Sequence, residues 1–183
     1  ELGFPSYDAK HPQHRAASLA AIILGAGTSS RLYQRIREQE GLVYQIYMFP
    51  EAYSDCGLLD TYFSSSVGEA EKVVRLIAEE LRKFKEEGLL EGELERAKRW
   101  VKGMFVRKLE STENRMYWLG ENYLLSGKVQ PIPHWMEEFE RVTEDQVLAA
   151  AQNLFKTRKL CIALHTPEKQ GKKIARDLSS LDF

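Results

Sequence analysis

Cysteine, histidine and net charge are all scarce in this chain, and each scarcity removes a class of function. The 183 residues hold two cysteines, Cys56 and Cys161, with no CxxC pair and no Cys/His cluster. That excludes a disulfide framework and a thiolate zinc site, and two reduced, partly buried thiols are expected. The four histidines are scattered: His11 and His14 in "HPQH", His134 after Pro133, and His165. His11 and His14 have helical ligand spacing, but nothing completes a set around them, so a solvated helix start is expected there. Neither HxxEH nor HExxH occurs, so no zinc hydrolase site is encoded in this chain. Lysine plus arginine number 26 against 27 acids, a net charge of -1. No excess charge steers the chain to nucleic acid or anionic lipid. No apolar run is long enough to cross a bilayer, so no membrane partner is expected. The compartment is left open by the sequence, with the cytoplasm slightly favoured.

What is present is an ordinary globular balance, 43% hydrophobic and 29% charged. One domain over residues 1–183 is expected, large enough to bury a core without disulfides or metal. The opening "ELGFPSYDAK" has no initiator Met and starts inside a strand-like stub, which reads as a fragment of a longer product.

After the stub, periodicity predicts a helix over His11 to Leu24, closed by glycines at 25 and 27. A second helix follows, capped by Ser29 or Ser30, with Leu32 and Ile36 as its buried stripe and Gly41 as its stop. "LVYQIYMF" and "LLDTYFSS" are β-branched and aromatic, and "YSDCG" between them turns one into the other, an antiparallel hairpin. Ser66 and Glu69 have capping-box spacing before a helix carrying Val73, Val74, Ile77, Leu81 and Phe84, with Lys72, Arg75, Glu79 and Lys83 on a solvated face. A longer helical stretch runs from about Gly92 to Gly127, with Leu94, Ala97, Val101, Met104, Phe105, Leu109, Met116 and Leu119 as its apolar positions. "PIPHWMEEFERV" predicts a short helix. Thr143 and Gln146 cap another that buries Val147, Leu148, Ala151, Leu154 and Phe155. "KLCIALH" is the last strand, and Thr166-Pro167 opens a terminal helix. Few strands and many helices imply an α+β fold, helices packed on one face of a mixed or antiparallel sheet.

Three stretches invite chemistry. The loop "LGAGTSSR" lacks the Lys-Ser/Thr pair of a P-loop and follows a helix instead of a strand, so it reads as a tight turn between helices. "LESTENR" places Ser111, Thr112 and Asn114 within a helical pattern and predicts a kink; no histidine lies near to activate a serine. Arg37 at a helix end and Tyr44 just inside the next strand are accounted for by the helix dipole and by strand preference. Their spacing around Gly41 also lets both reach one sheet edge, where a guanidinium and a phenol together can hold a peptide carbonyl.

"LGAGTSSRLYQRIREQEGLVYQIY", then "YSDCGLLDTYF", "GELERAKRWVKGMF" and "LESTENRMYWLGE", resembles the C-terminal, non-zinc half of insulinase/pitrilysin-type metallopeptidases, the group that includes the mitochondrial processing peptidase. The resemblance runs in order over nearly the whole chain. It implies an α+β half-domain, mostly antiparallel, closing like a clamshell on a preceding half that carries HxxEH and the zinc. The pattern RxxxGLxY stands here as Arg37, Gly41, Leu42 and Tyr44. By the resemblance, Arg37 and Tyr44 bind substrate, and Tyr44 serves catalysis as a donor to the scissile carbonyl. No residue matches the zinc ligands, so no cofactor is expected in this chain and zinc is expected in the missing half. The implied partners are an extended peptide substrate and the zinc-bearing half or a partner subunit, with a homodimer also open. The alternative is an inactive partner or scaffold subunit of the same family.

Overall fold

The computed structural model describes residues 1–129, 131–156, 160–167 and 171. Four strands form one sheet in the order β2-β3-β1-β4, where β1 is Leu2–Ser6, β2 Val43–Ala52, β3 Gly57–Ser65 and β4 Cys161–Ile162. Every pairing is antiparallel. The opening stub therefore takes a central position, with Leu2 facing Thr61 on one side and Ile162 on the other. The last strand is shorter than expected, two residues, and the expected terminal helix lies outside the described residues.

One face of the sheet is covered. Leu2, Phe4, Ile46, Met48, Leu59 and Thr61 are buried beneath α1 (His14–Gly25) and α6 (Glu144–Leu154), and Phe4 meets Phe155 edge-on at 5.3 Å. At Gly25 the helix and sheet come close enough that an added Cβ would run into the Met48 backbone. Glycine is there because α1 touches the β2 backbone. The opposite face is open and carries Tyr47 stacked on Tyr62 at 4.9 Å.

Between α1 and β2 the predicted helix forms, with Leu32 and Ile36 fully buried, but over Tyr33–Gln39 it is a π-helix. No serine caps it: the Ser30 hydroxyl donates to the Gly27 carbonyl at 2.8 Å. The segment is anchored by Arg31, buried with Glu93 in a two-pronged ion pair at 2.6 and 2.8 Å. Arg31 also donates to the Gly88 carbonyl and lies over the Phe84 ring.

The α2 helix (Ala70–Glu87) buries the predicted stripe of Val73, Val74, Ile77, Leu81 and Phe84. Its predicted capping box is absent. A 3-10 turn over Val67–Glu69 moves the helix start to Ala70, so Ser66 and Glu69 share only a backbone bond, from the Glu69 N–H to the Ser66 carbonyl. The long helical stretch is two helices, α3 (Glu93–Glu110) and α4 (Thr112–Ser126). The expected kink is a full break, because Ser111 is extended and its hydroxyl accepts from the Asn114 N–H as a new N-cap. Leu94, Ala97, Val101, Phe105 and Leu109 are buried, but Met104 on α3 is exposed, and so are Met116 and Leu119 beyond the break on α4. The short helix α5 (Ile132–Glu140) precedes α6, whose capping box of Thr143 and Gln146 forms as read. Val147, Ala151, Leu154 and Phe155 are buried, whereas Leu148 is half-buried.

Both thiols are exposed, contrary to expectation: Cys56 sits in the hairpin turn and Cys161 on the short edge strand. The His11–His14 start is not solvated either. His11 stacks on Tyr7 at 4.1 Å, and half-buried His14 has its pKa lowered to about 4, first by burial and then by the neighbouring Arg15 charge.

Candidate functional site

The site begins with two departures from regular geometry. The π-turns widen the end of the helix that carries Arg37, with the Glu40 N–H bonded to the Arg35 carbonyl and the Leu42 N–H to the Ile36 carbonyl. Gly41 then reverses the chain at φ +65°, a left-handed conformation in which side chains are strained. The second departure is a β-bulge. Val43 pairs with Ser65 and Gln45 with Ser64, so Tyr44 is the extra residue. The bulge lets Val43 and Ile46, three residues apart, both face the core; strict alternation would bury only one of them. Tyr44 is thereby left 85% exposed. The core thus sets the exposure of this position, but it does not set which side chain stands there.

Arg37 and Tyr44 line one open groove of about 770 Å³, together with Gly41, Leu42, Val43, Ser64, Ser65, Ser66 and Glu69. The Arg37 guanidinium lies over the Tyr33 ring at 4.9 Å, which orients it without neutralising it. Glu40, just before Gly41, is engaged elsewhere. It accepts from Lys72 at 3.0 Å and approaches Arg35 at 3.7 Å, and Lys72 holds its carboxyl below the usual range. Among the described residues no carboxylate forms an ion pair with Arg37.

Such a groove offers a fixed cation, an exposed phenol and three serines beside an edge strand. It can hold the carbonyl oxygens of an extended chain. Both residues singled out in the sequence are thus brought together. The serines and Glu69 were not singled out as site residues; they arrive through the hairpin register, which sets Ser64 and Ser65 opposite the bulge, and through the displaced start of α2. Among the described residues no group of three or more His, Cys, Asp or Glu could hold a metal ion. No helix among them is long and apolar enough to cross a membrane.

Residues 1–100 match the family model described as the peptidase M16 inactive domain. Over 166 residues the chain is 32% identical to the uncharacterized zinc protease YmxG of Bacillus subtilis, a match that takes in 91% of this chain and 40% of that protein. Over 147 residues it is 35% identical to an uncharacterized zinc protease of Mycobacterium tuberculosis, covering 80% of this chain and 34% of that one. The chain therefore spans about two fifths or less of these curated relatives. A protease from Helicobacter pylori has a similar fold, with TM-score 0.77 at 22% identity over 87% of this chain and 38% of that one. So does a peptidase M16 inactive domain from Pseudomonas fluorescens, with TM-score 0.75 at 22% identity over 91% and 42%.

Proposed function

Since this chain belongs to the peptidase M16 inactive-domain family, we propose that it is the substrate-binding half of a zinc metalloendopeptidase whose metal is held by another half. The observation that carries the reading is the pairing of an uncompensated Arg37 with an exposed Tyr44 on one groove, each placed there by an irregular backbone. Substrate peptide lies extended along the groove and adds to the free edge of β2, where main-chain bonds bind it largely irrespective of sequence. Arg37 holds one substrate carbonyl. The Tyr44 hydroxyl donates to the carbonyl under attack, whose oxygen gains negative charge in the transition state; a donor aimed there lowers the barrier more than it strengthens substrate binding. Neither residue breaks a bond by itself. The peptidase names of the relatives support the reaction class, and the absence of HxxEH here is in keeping with metal held by a different part of the enzyme.

The test is reconstitution. The chain with added zinc is expected to leave a quenched fluorescent peptide intact, and the same chain joined to an HxxEH-bearing half is expected to cut it. Cleavage by the isolated chain would remove the reading. A joined pair that assembles but stays inert would favour the scaffold alternative.

A further inference from the structure

The groove leaves α4 unused, and α4 is the least explained element of the fold. Of its fifteen residues only Trp118 is buried, packed edge-on against Phe105 at 5.4 Å. From the opposite side of the helix project Met116, Tyr117, Tyr123 and Leu124, exposed by 60, 57, 60 and 83%. Gly120 stands at the centre of that face, with nothing within 4 Å of where its Cβ would be. A glycine inside a helix weakens it relative to alanine, and here no neighbour in the fold repays the loss. A helix that is apolar on both sides is normally buried on both. A glycine flanked on one face by large apolar side chains is what a second helix needs to approach closely.

We propose that this Met116–Leu124 face is the docking surface for a helix of the zinc-bearing half. The inference rests on the reading of the chain as one half of a peptidase. Its occupant is argued from length: the Bacillus subtilis and Mycobacterium tuberculosis relatives, and the solved Helicobacter pylori chain, are each more than twice the length this chain covers. The additional polypeptide of such proteins is tethered to this fold at high effective concentration. A tethered helix fills the face ahead of a free second copy. The face is uncharged at its centre, so it selects by shape, with Tyr117 and Tyr123 closing over a ridge that enters at Gly120.

The test uses this chain co-expressed with the stretch of the Bacillus subtilis protein that it does not match. A one-to-one complex is expected by light scattering. Gly120→Leu, which fills the notch, and Leu124→Asp, which charges the rim, are each expected to weaken it by about tenfold or more. Both positions are open, so neither variant is expected to lower the melting temperature of the free chain, and Gly120→Leu is expected to raise it slightly by removing a helix glycine. The proposal is overturned if no complex forms, if both variants bind like the parent, or if the chain alone is a dimer that Leu124→Asp dissociates. Binding is read apart from cleavage. A complex that depends on α4 but cuts no peptide keeps the interface and removes the peptidase reading; an active complex indifferent to both variants does the reverse.

Discussion

Arg37 and Tyr44 differ in what they contribute, and the difference is measurable. On the proposed reading Arg37 positions a bound peptide, so Arg37→Ala in the joined enzyme is expected to raise KM, with kcat much less affected. Arg37→Lys is expected to recover little of the loss, because a point charge lacks the planar fork that sits over Tyr33. An unchanged KM in steady-state kinetics would return Arg37 to a helix-end role. At the same scale, His14 makes the fold sensitive to acid. Burial above all holds its folded pKa at about 4 against the ordinary 6.5, with Arg15 and His11 also opposing protonation and Asp8 and Glu138 favouring it. Between those values the unfolded chain binds a proton that the folded chain does not. The stability contributed by neutral His14 is thus complete above about pH 6.5 and is lost as pH falls towards 4, by at most about 1.4 kcal/mol per pH unit. Urea unfolding of His14→Gln across that window is expected to give a flatter pH profile than the parent. Parallel profiles would assign the acid sensitivity to other groups.

At the scale of elements, much was legible where pattern and local chemistry agree. The hairpin follows from β-branched and aromatic runs around "YSDCG", and Leu32 and Ile36 lie in the core as their helical spacing requires. Thr143 and Gln146 close a capping box, while Ser66 and Glu69, with the same spacing, do not. The difference lies in the backbone ahead of each helix: Thr143 is extended at the cap itself, whereas a 3-10 turn follows Ser66 and uses up the residues of the box. The bulge at Tyr44 and the π-turns before Gly41 were hidden for a related reason. The core accepts Val43 with Ile46, which a strict period of two does not describe, while the π-turns leave Leu32 and Ile36 at ordinary helical spacing, so the pattern does not mark them. The anchor of this region is the Arg31–Glu93 pair, whose carboxylate also accepts the Leu90 N–H at 2.8 Å. Glu93→Ala leaves a buried guanidinium without its acid and is expected to cost about 3–5 kcal/mol by chemical denaturation. A loss below about 1 kcal/mol, as for exposed pairs, would show that the pair is not needed to hold the Arg37 helix. Gly25→Ala drives a methyl group into the Met48 backbone and is expected to cost about 1–3 kcal/mol, read as a lowered melting temperature.

For the molecule as a whole, one sheet face is covered and an open groove lies at the β2 edge. The core under α1 and α6 buries Val43 and Ile46 together and so puts position 44 in solvent, but nothing in it requires a tyrosine there. The central claim is that Tyr44 stands there to donate a hydrogen bond to substrate in the transition state. The most direct measurement is kcat for peptide cleavage by the chain joined to its zinc-bearing half, with Tyr44 against Tyr44→Phe, and the melting temperature of each. Loss of one such donor is expected to lower kcat by about 100- to 1,000-fold with the melting temperature unchanged. An equal kcat, or a loss that follows a lowered melting temperature, would contradict it.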